Sequence, residues 1–180
     1  VSHELGSGDA VRAKFAAHVA LRLIIVVEIV VSALVYLSRG SWGALFTKDT
    51  DVTNLLSKLM VPLAFYVAFD ALCCVSTSIL RGCGRQSAAA PIVVFAYYVV
   101  GIPAALALAF KTSLGAMGLA IGGTIGTATH AAAMCVAVFN IDWNAEVVRA
   151  RASRHTANID TNTDDDKLLV LSPASDIDAL

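Results

Sequence analysis

The chain has 180 residues, 57% of them hydrophobic and only 15% charged, where soluble domains carry roughly 45–50% apolar and about 25% charged residues. That balance excludes an ordinary water-soluble domain and makes the lipid bilayer the expected surroundings. A net charge of −1 leaves no basic surface for nucleic acid.

The four cysteines form no CxxC pair and no His/Cys metal spacing, so no disulfide framework, zinc site or other cofactor is expected. Cys73, Cys74 and Cys135 lie inside apolar runs as small packing residues, and Cys83 falls in a short loop. The first residues, from Val1 with no initiator Met or signal sequence, read like the interior of a longer protein.

Val1 to Lys14 contains Glu4-Leu5-Gly6-Ser7-Gly8-Asp9 and then Arg12 and Lys14, the pattern of one helix ending and another beginning. An apolar run over about 15–37 is interrupted by Arg22 and Glu28. They are roughly 9 Å apart along a helix and off a common face, so a direct pair is not expected. Arg22 can snorkel to an interface. Glu28 is deeper, and a carboxylate there either serves transport or pairs with another helix.

Ser38 to Lys58 reads as a polar connection with Trp42 as an interfacial anchor. Val52, Leu55, Leu56 and Leu59 recur at helical spacing and predict a short amphipathic helix leading into the second span, about 59–80. That span carries one carboxylate, Asp70. Tyr66, Asp70, Cys73 or Cys74, Thr77 and Arg81 follow steps of three and four and so share a stripe. An ionisable residue at such depth costs several kcal/mol unless it faces protein, a partner or water, which makes Asp70 the principal candidate site residue. The structural alternative is a carboxylate neutralised by a basic partner or hydrogen bonded to a neighbouring helix.

Arg81 to Gln86 forms a tight basic turn. The third span, about 88–110, includes Tyr97-Tyr98 and Pro103, which removes a backbone donor and predicts a kink. The fourth, about 114–139, places Gly118, Gly122 and Gly126 at four-residue spacing with His130 next on the row. Small residues so spaced let two helices approach closely. His130 is either a ligand or proton relay, or a hydrogen-bonding group across a helix interface.

The fold class is therefore all-α, a multipass transmembrane helical bundle over residues 1–143. Residues 144–155, with Glu146, Arg149, Arg151 and Arg154, predict an amphipathic helix on the membrane surface. Residues 156–180, with Asp164-Asp165-Asp166, predict a disordered acidic tail. Arg12, Lys14, Arg81, Arg85, Arg149, Arg151 and Arg154 fall on one side, against Arg39, Lys48, Lys58 and Lys111 on the other. The positive-inside rule then puts both termini in the cytoplasm. A carboxylate held away from water binds a proton or a cationic substrate but hardly both, the simplest basis for proton/cation exchange. Asp70, with Glu28, Tyr66, Cys74, Thr77, Tyr97 and His130, makes up the candidate substrate- and proton-binding set.

Several motifs in register carry a family resemblance over about residues 1–150. Val1-Ser2-His3-Glu4-Leu5-Gly6-Ser7-Gly8 resembles the V-S-N-E-L-G-A-G signature of the multidrug and toxic compound extrusion (MATE) family. Leu80-Arg81-Gly82-Cys83-Gly84-Arg85-Gln86 is similar to its L-R-G-C-G-R-Q turn, and Tyr97-Tyr98-Val99-Val100-Gly101-Ile102-Pro103 to its Y-Y-V-V-G-[IL]-P segment. Leu45-Phe46-Thr47, Gly115 with Gly118-Leu119, and Asp142-Trp143 match in order and spacing. The pattern resembles the eukaryotic members, animal-type ones in particular.

The resemblance implies the last part of a twelve-helix transporter: the end of the eighth helix, helices nine to twelve and a cytoplasmic tail. It implies two lobes around a cavity, alternating access, and export of organic cations or xenobiotics in exchange for protons, with no enzyme activity. Asp70, eleven positions before Arg81, stands where the family carries an acidic residue on its tenth helix. That carboxylate would work with acidic residues of the seventh and eighth helices, in the missing upstream part of the same transporter. His3 and His130 depart from the usual Asn and Gln. The expected location is the plasma membrane, with vacuolar or vesicular membranes as alternatives. Competing functions are a related exporter coupled to sodium or carrying organic anions or metabolites, and a non-transporting membrane scaffold. A soluble helical bundle fares worst, because four runs exceed the roughly 18-residue spanning threshold.

Overall fold

The structure is a computed structural model and describes residues 1–152. The expected tail, 156–180, and the end of the expected surface helix lie outside the described residues. A short helix α1 (Ser2–Ser7) ends at Gly8, whose φ of 87° is left-handed and lets the chain reverse after a single turn and a half. Asp9 then caps α2 (Ala10–Phe46), accepting a hydrogen bond from the Arg12 amide at 2.9 Å.

At 37 residues α2 is roughly 55 Å long, well beyond a hydrocarbon core of about 30 Å. The polar stretch expected to connect the first two spans is therefore mostly helical. Only residues 47–49 separate α2 from α3 (Thr50–Gly82), where Asp49 accepts from the Asp51 amide at 2.9 Å. The amphipathic segment around Val52 to Leu59 is the first part of α3, continuous with the span that follows.

The basic turn after α3 closes with the Arg85 amide on the Leu80 carbonyl at 2.9 Å and Gly84 at a φ of 72°. Helix α4 (Gln86–Lys111) is continuous but irregular. Its turns widen to π geometry over Phe95–Gly101 and again over Ala107–Lys111. Pro103 has no N–H to offer the preceding turn, and the first widened stretch lies directly before it. The expected kink is expressed as this change of helical pitch. Helix α5 (Ala116–Phe139) follows, and Asp142 then caps α6 (143–152) by accepting from the Asn144 and Ala145 amides.

Four of these helices, α2 to α5, are long and apolar enough to cross a membrane. Leu23, Val26 and Ile29 of α2 are 61–65% exposed, which suits a bilayer solvent and not water. Helix α3 is central, packed on α2 along one side and α5 along the other, and α5 also runs along α4. The tightest apolar cluster lies at one end of the bundle, where Leu5, Leu21, Leu80, Met134, Trp143 and Val147 bring together α1, α2, α3, α5 and α6.

Along the α4–α5 seam the glycine row works as its spacing predicts. Gly118 faces the backbone of Leu108 and Ala109, Gly122 that of Ala105, and Gly126 that of Gly101. A Cβ at Gly126 would lie 2.9 Å from the Gly101 Cα, so the two backbones meet with no side chain between them. His130 is the next rung.

Candidate functional site

Beyond the glycine rungs the α4–α5 seam turns polar. Tyr97 of α4 meets His130 of α5 edge to face, with ring centroids 5.5 Å apart at 64°. The Tyr97 hydroxyl lies 3.3 Å from Thr127 Oγ1, one α5 turn before His130. Helix α3 closes the third side, its buried Cys73 thiol donating to the Thr127 carbonyl at 3.7 Å. Asp70, half-buried one turn earlier on α3, acts electrostatically on Tyr97, on His130 and on Glu28 of α2. Three spans, α3, α4 and α5, thus contribute to one small polar centre of an acid, an imidazole, a phenol, a thiol and a hydroxyl, with Glu28 of α2 in electrostatic range of its acid.

Glu28 opens onto a cavity of about 450 Å³ between α2 and α3, lined by Ile25, Ser32, Tyr36, Phe65 and Phe69 among others. One carboxylate oxygen of Glu28 is buried with no hydrogen-bond partner among the described residues. A carboxylate in an aromatic and aliphatic wall is suited to a lipophilic cation, which can satisfy the charge and the apolar surface together. A second space of about 620 Å³ lies between α3 and α5, walled by Pro62, Phe65, Phe69 and Ile125. Pro62 leaves its helix one hydrogen bond short, and the Thr124 hydroxyl of α5 shares its proton between the Ala120 carbonyl of its own helix at 2.9 Å and the Pro62 carbonyl at 3.1 Å, where the two helices meet. Among the described residues no group of three or more His, Cys, Asp or Glu is placed to hold a metal ion.

The sequence pattern that defines the MatE family matches residues 1–107. The chain belongs to the MatE family. Protein DETOXIFICATION 14 of Arabidopsis thaliana is 34% identical over 151 residues, covering 84% of this chain and 31% of that protein. Multidrug and toxin extrusion protein 1 of Homo sapiens is 33% identical over 162 residues, covering 90% of this chain and 28% of that protein. The crystal structure of the eukaryotic MATE transporter AtDTX14 matches with a TM-score of 0.78 at 34% identity, over 83% of this chain and 34% of that one. The chain spans roughly a third of the length of these relatives. It is a multipass, all-α membrane protein of the MatE family.

Within this MatE chain the candidate residues divide. Tyr97 and His130 meet ring to ring, and Asp70 is in electrostatic range of both and of Glu28. Tyr66 is half-buried within electrostatic range of Tyr97, and lines a separate space of about 440 Å³ with Leu63, Ala120 and Gly123. Cys74 is exposed on another face of α3, near Ala20 and Ser78, and Thr77 is half-buried one turn on. Two residues of the centre were not singled out from sequence, Cys73 as distinct from its neighbour Cys74, and Thr127. A helical stripe drawn at steps of three and four cannot separate adjacent cysteines, and Thr127 stands beside the glycine row with nothing but its hydroxyl to mark it.

Glu146 is the larger surprise. Read as decoration on a surface helix, it is 1% exposed, with Arg85 Nε 2.6 Å and Arg149 Nη1 3.1 Å from its Oε1. Arg85 belongs to the basic turn, so the turn and α6 are joined through a buried carboxylate.

Proposed function

We propose that this chain is part of a proton-coupled antiporter that exports organic cations and xenobiotics by alternating access, together with the upstream part of the same transporter. The observation that carries the reading is Asp70 in electrostatic range of the Tyr97–His130 pair and of Glu28, one of whose carboxylate oxygens is buried without a hydrogen-bond partner among the described residues. Ionised Asp70 holds the cation; a proton arriving from the far side neutralises the carboxylate and releases it, and loss of that proton resets the site. Tyr66, in electrostatic range of Tyr97, adds to the polar side of α3, whereas Cys74 lies on another face of that helix. The described part of the expected surface helix, residues 144–152, runs along the membrane surface in this reading, and the plasma membrane is the location that fits such an exporter.

The test is Asp70→Asn in the full-length protein, reconstituted in vesicles with an imposed pH gradient. The substitution abolishes exchange while the protein still reaches the membrane; normal pH-driven efflux from the mutant sinks the assignment. Imposing proton and sodium gradients separately distinguishes a sodium-coupled relative, and an anionic probe distinguishes an organic-anion carrier. A non-transporting scaffold is disfavoured by one observation. Among the described residues the ion pairs join Asp9 to Arg12 and Glu146 to Arg85 and Arg149, and none takes up Asp70.

A further inference from the structure

Both ring nitrogens of His130 are buried and lack a hydrogen-bond partner among the described residues, and the residue is 7% exposed. A neutral imidazole carries one N–H and one lone pair, so a donor and an acceptor are both left open. The neighbouring protons are already committed. Thr127 Oγ1 donates to the Gly123 carbonyl at 3.1 Å, so in its 3.3 Å contact with Tyr97 the phenol must be the donor. The Cys73 thiol donates to the Thr127 carbonyl. Neither Thr127, Tyr97 nor Cys73 therefore has a proton left for the imidazole lone pair. The titratable groups gathered here are Asp70, Cys73, Cys74 and Tyr66 on α3, Tyr97 on α4 and Cys135 on α5, with Glu28 of α2 in electrostatic range of Asp70. An imidazolium at His130 would find its counter-charge in Asp70.

Resting on the exporter reading above, we propose that His130 is a proton-operated binding residue for cations that carry an N–H. Neutral, its open lone pair accepts that N–H while Asp70 balances the charge. When a hydronium ion gives its proton to the lone pair, one O–H bond breaks as the N–H bond forms and a water molecule is left; both nitrogens become donors, the ring turns its N–H to the Asp70 carboxylate, and the substrate loses its acceptor and its counter-ion together. A quaternary ammonium has no N–H to offer, so it gains nothing from neutral His130.

The experiment compares two permanently charged probes in the full-length protein, butylguanidinium and tetraethylammonium, across the imidazole range of about pH 5 to 8. Both depend on Asp70, so the ratio of their transport rates cancels that titration and reads His130. In the wild type the guanidinium-to-quaternary ratio falls as the pH drops through this range. His130→Gln keeps an acceptor oxygen but cannot titrate, and its ratio is flat near the wild-type alkaline value. His130→Leu has neither property, and its ratio is flat at the low value. A wild-type ratio that does not change with pH overturns the proposal whatever the variants do, as does pH dependence that survives His130→Gln. Asp70→Asn separates the two readings. If it still exchanges both probes, the coupling role of Asp70 on which the proton-coupled reading rests fails. If it is inactive while the wild-type ratio is flat, only the role of His130 falls. Exchange of neither probe by the wild type overturns both.

Discussion

Arg85 Nε stands 2.6 Å from Glu146 Oε1, joining the α3–α4 turn to α6 across 61 positions of sequence. Glu146 is fully enclosed, whereas Arg85 is 34% and Arg149 58% exposed. The pair is therefore asymmetric. Arg85→Ala strands a buried carboxylate on its weaker partner and is expected to destabilise the protein by about 2–3 kcal/mol. Arg149→Ala removes a mostly solvated charge and costs under about 1 kcal/mol. Glu146→Gln is milder than Arg85→Ala, because the arginine it releases can turn to water. Thermal unfolding of the detergent-solubilised protein ranks the three, and an Arg149 effect equal to that of Arg85 would contradict the asymmetry.

Cys83, just past the end of α3, gives a pH signature at the same place. Burial chiefly, and the Glu146 carboxylate next, push its thiol pKa up, with Arg85 opposing. The folded chain thus keeps this proton at pH values where the unfolded chain has lost it. Stability is unaffected below the ordinary thiol range of about 8.5 and falls as the pH climbs above it. Melting temperatures measured from neutral pH upward should decline less steeply for Cys83→Ala than for the wild type. Alkylation of Cys83 at neutral pH should be slow, and faster in Glu146→Gln.

The α4–α5 seam predicts opposite results for adjacent glycines. A Cβ at Gly122 would run into the Ala105 backbone, while one at Gly123 meets nothing within 4 Å. Gly122→Ala must push the helices apart and is expected to cost about 1–3 kcal/mol. Gly123→Ala is neutral or stabilising by up to about 1 kcal/mol, since alanine is the better helix former. Paired melting curves decide it.

Glu28→Gln should behave unlike Asp70→Asn. Glu28 lines the 450 Å³ cavity at one remove from the Tyr97–His130 centre. Loss of its charge is expected to raise KM for a cationic probe about tenfold, equivalent to about 1.4 kcal/mol, while exchange persists. Transport measured against probe concentration separates this from the complete loss expected at Asp70.

The four apolar runs were legible because bilayer-length hydrophobicity is a property of each segment alone. So was the glycine row, since a four-residue spacing names the face on which it lies. The facing residues, Gly101, Ala105 and Leu108, were not, because spacing identifies a face and never its partner. Pro103 foretold a disturbance in α4 but not its form, the widened turns over Phe95–Gly101. Glu146 was misjudged for a related reason: its burial depends on Arg85, which no local window around α6 contains. At the candidate site the sequence supplied the expensive residue, Asp70, and the structure supplied the company it keeps on α2, α4 and α5.

The rungs of the α4–α5 seam differ in how many ways they can be arranged. Gly118, Gly122 and Gly126 carry no rotatable bond beyond the backbone, so these three rungs have no alternative rotamers to sample and no side-chain entropy to lose on docking. At the next rung, Tyr97 and His130 each bring two side-chain torsions. Along the α5 row, side-chain rotational freedom is thereby confined to its last rung, His130, which meets Tyr97 where the closely packed backbones end.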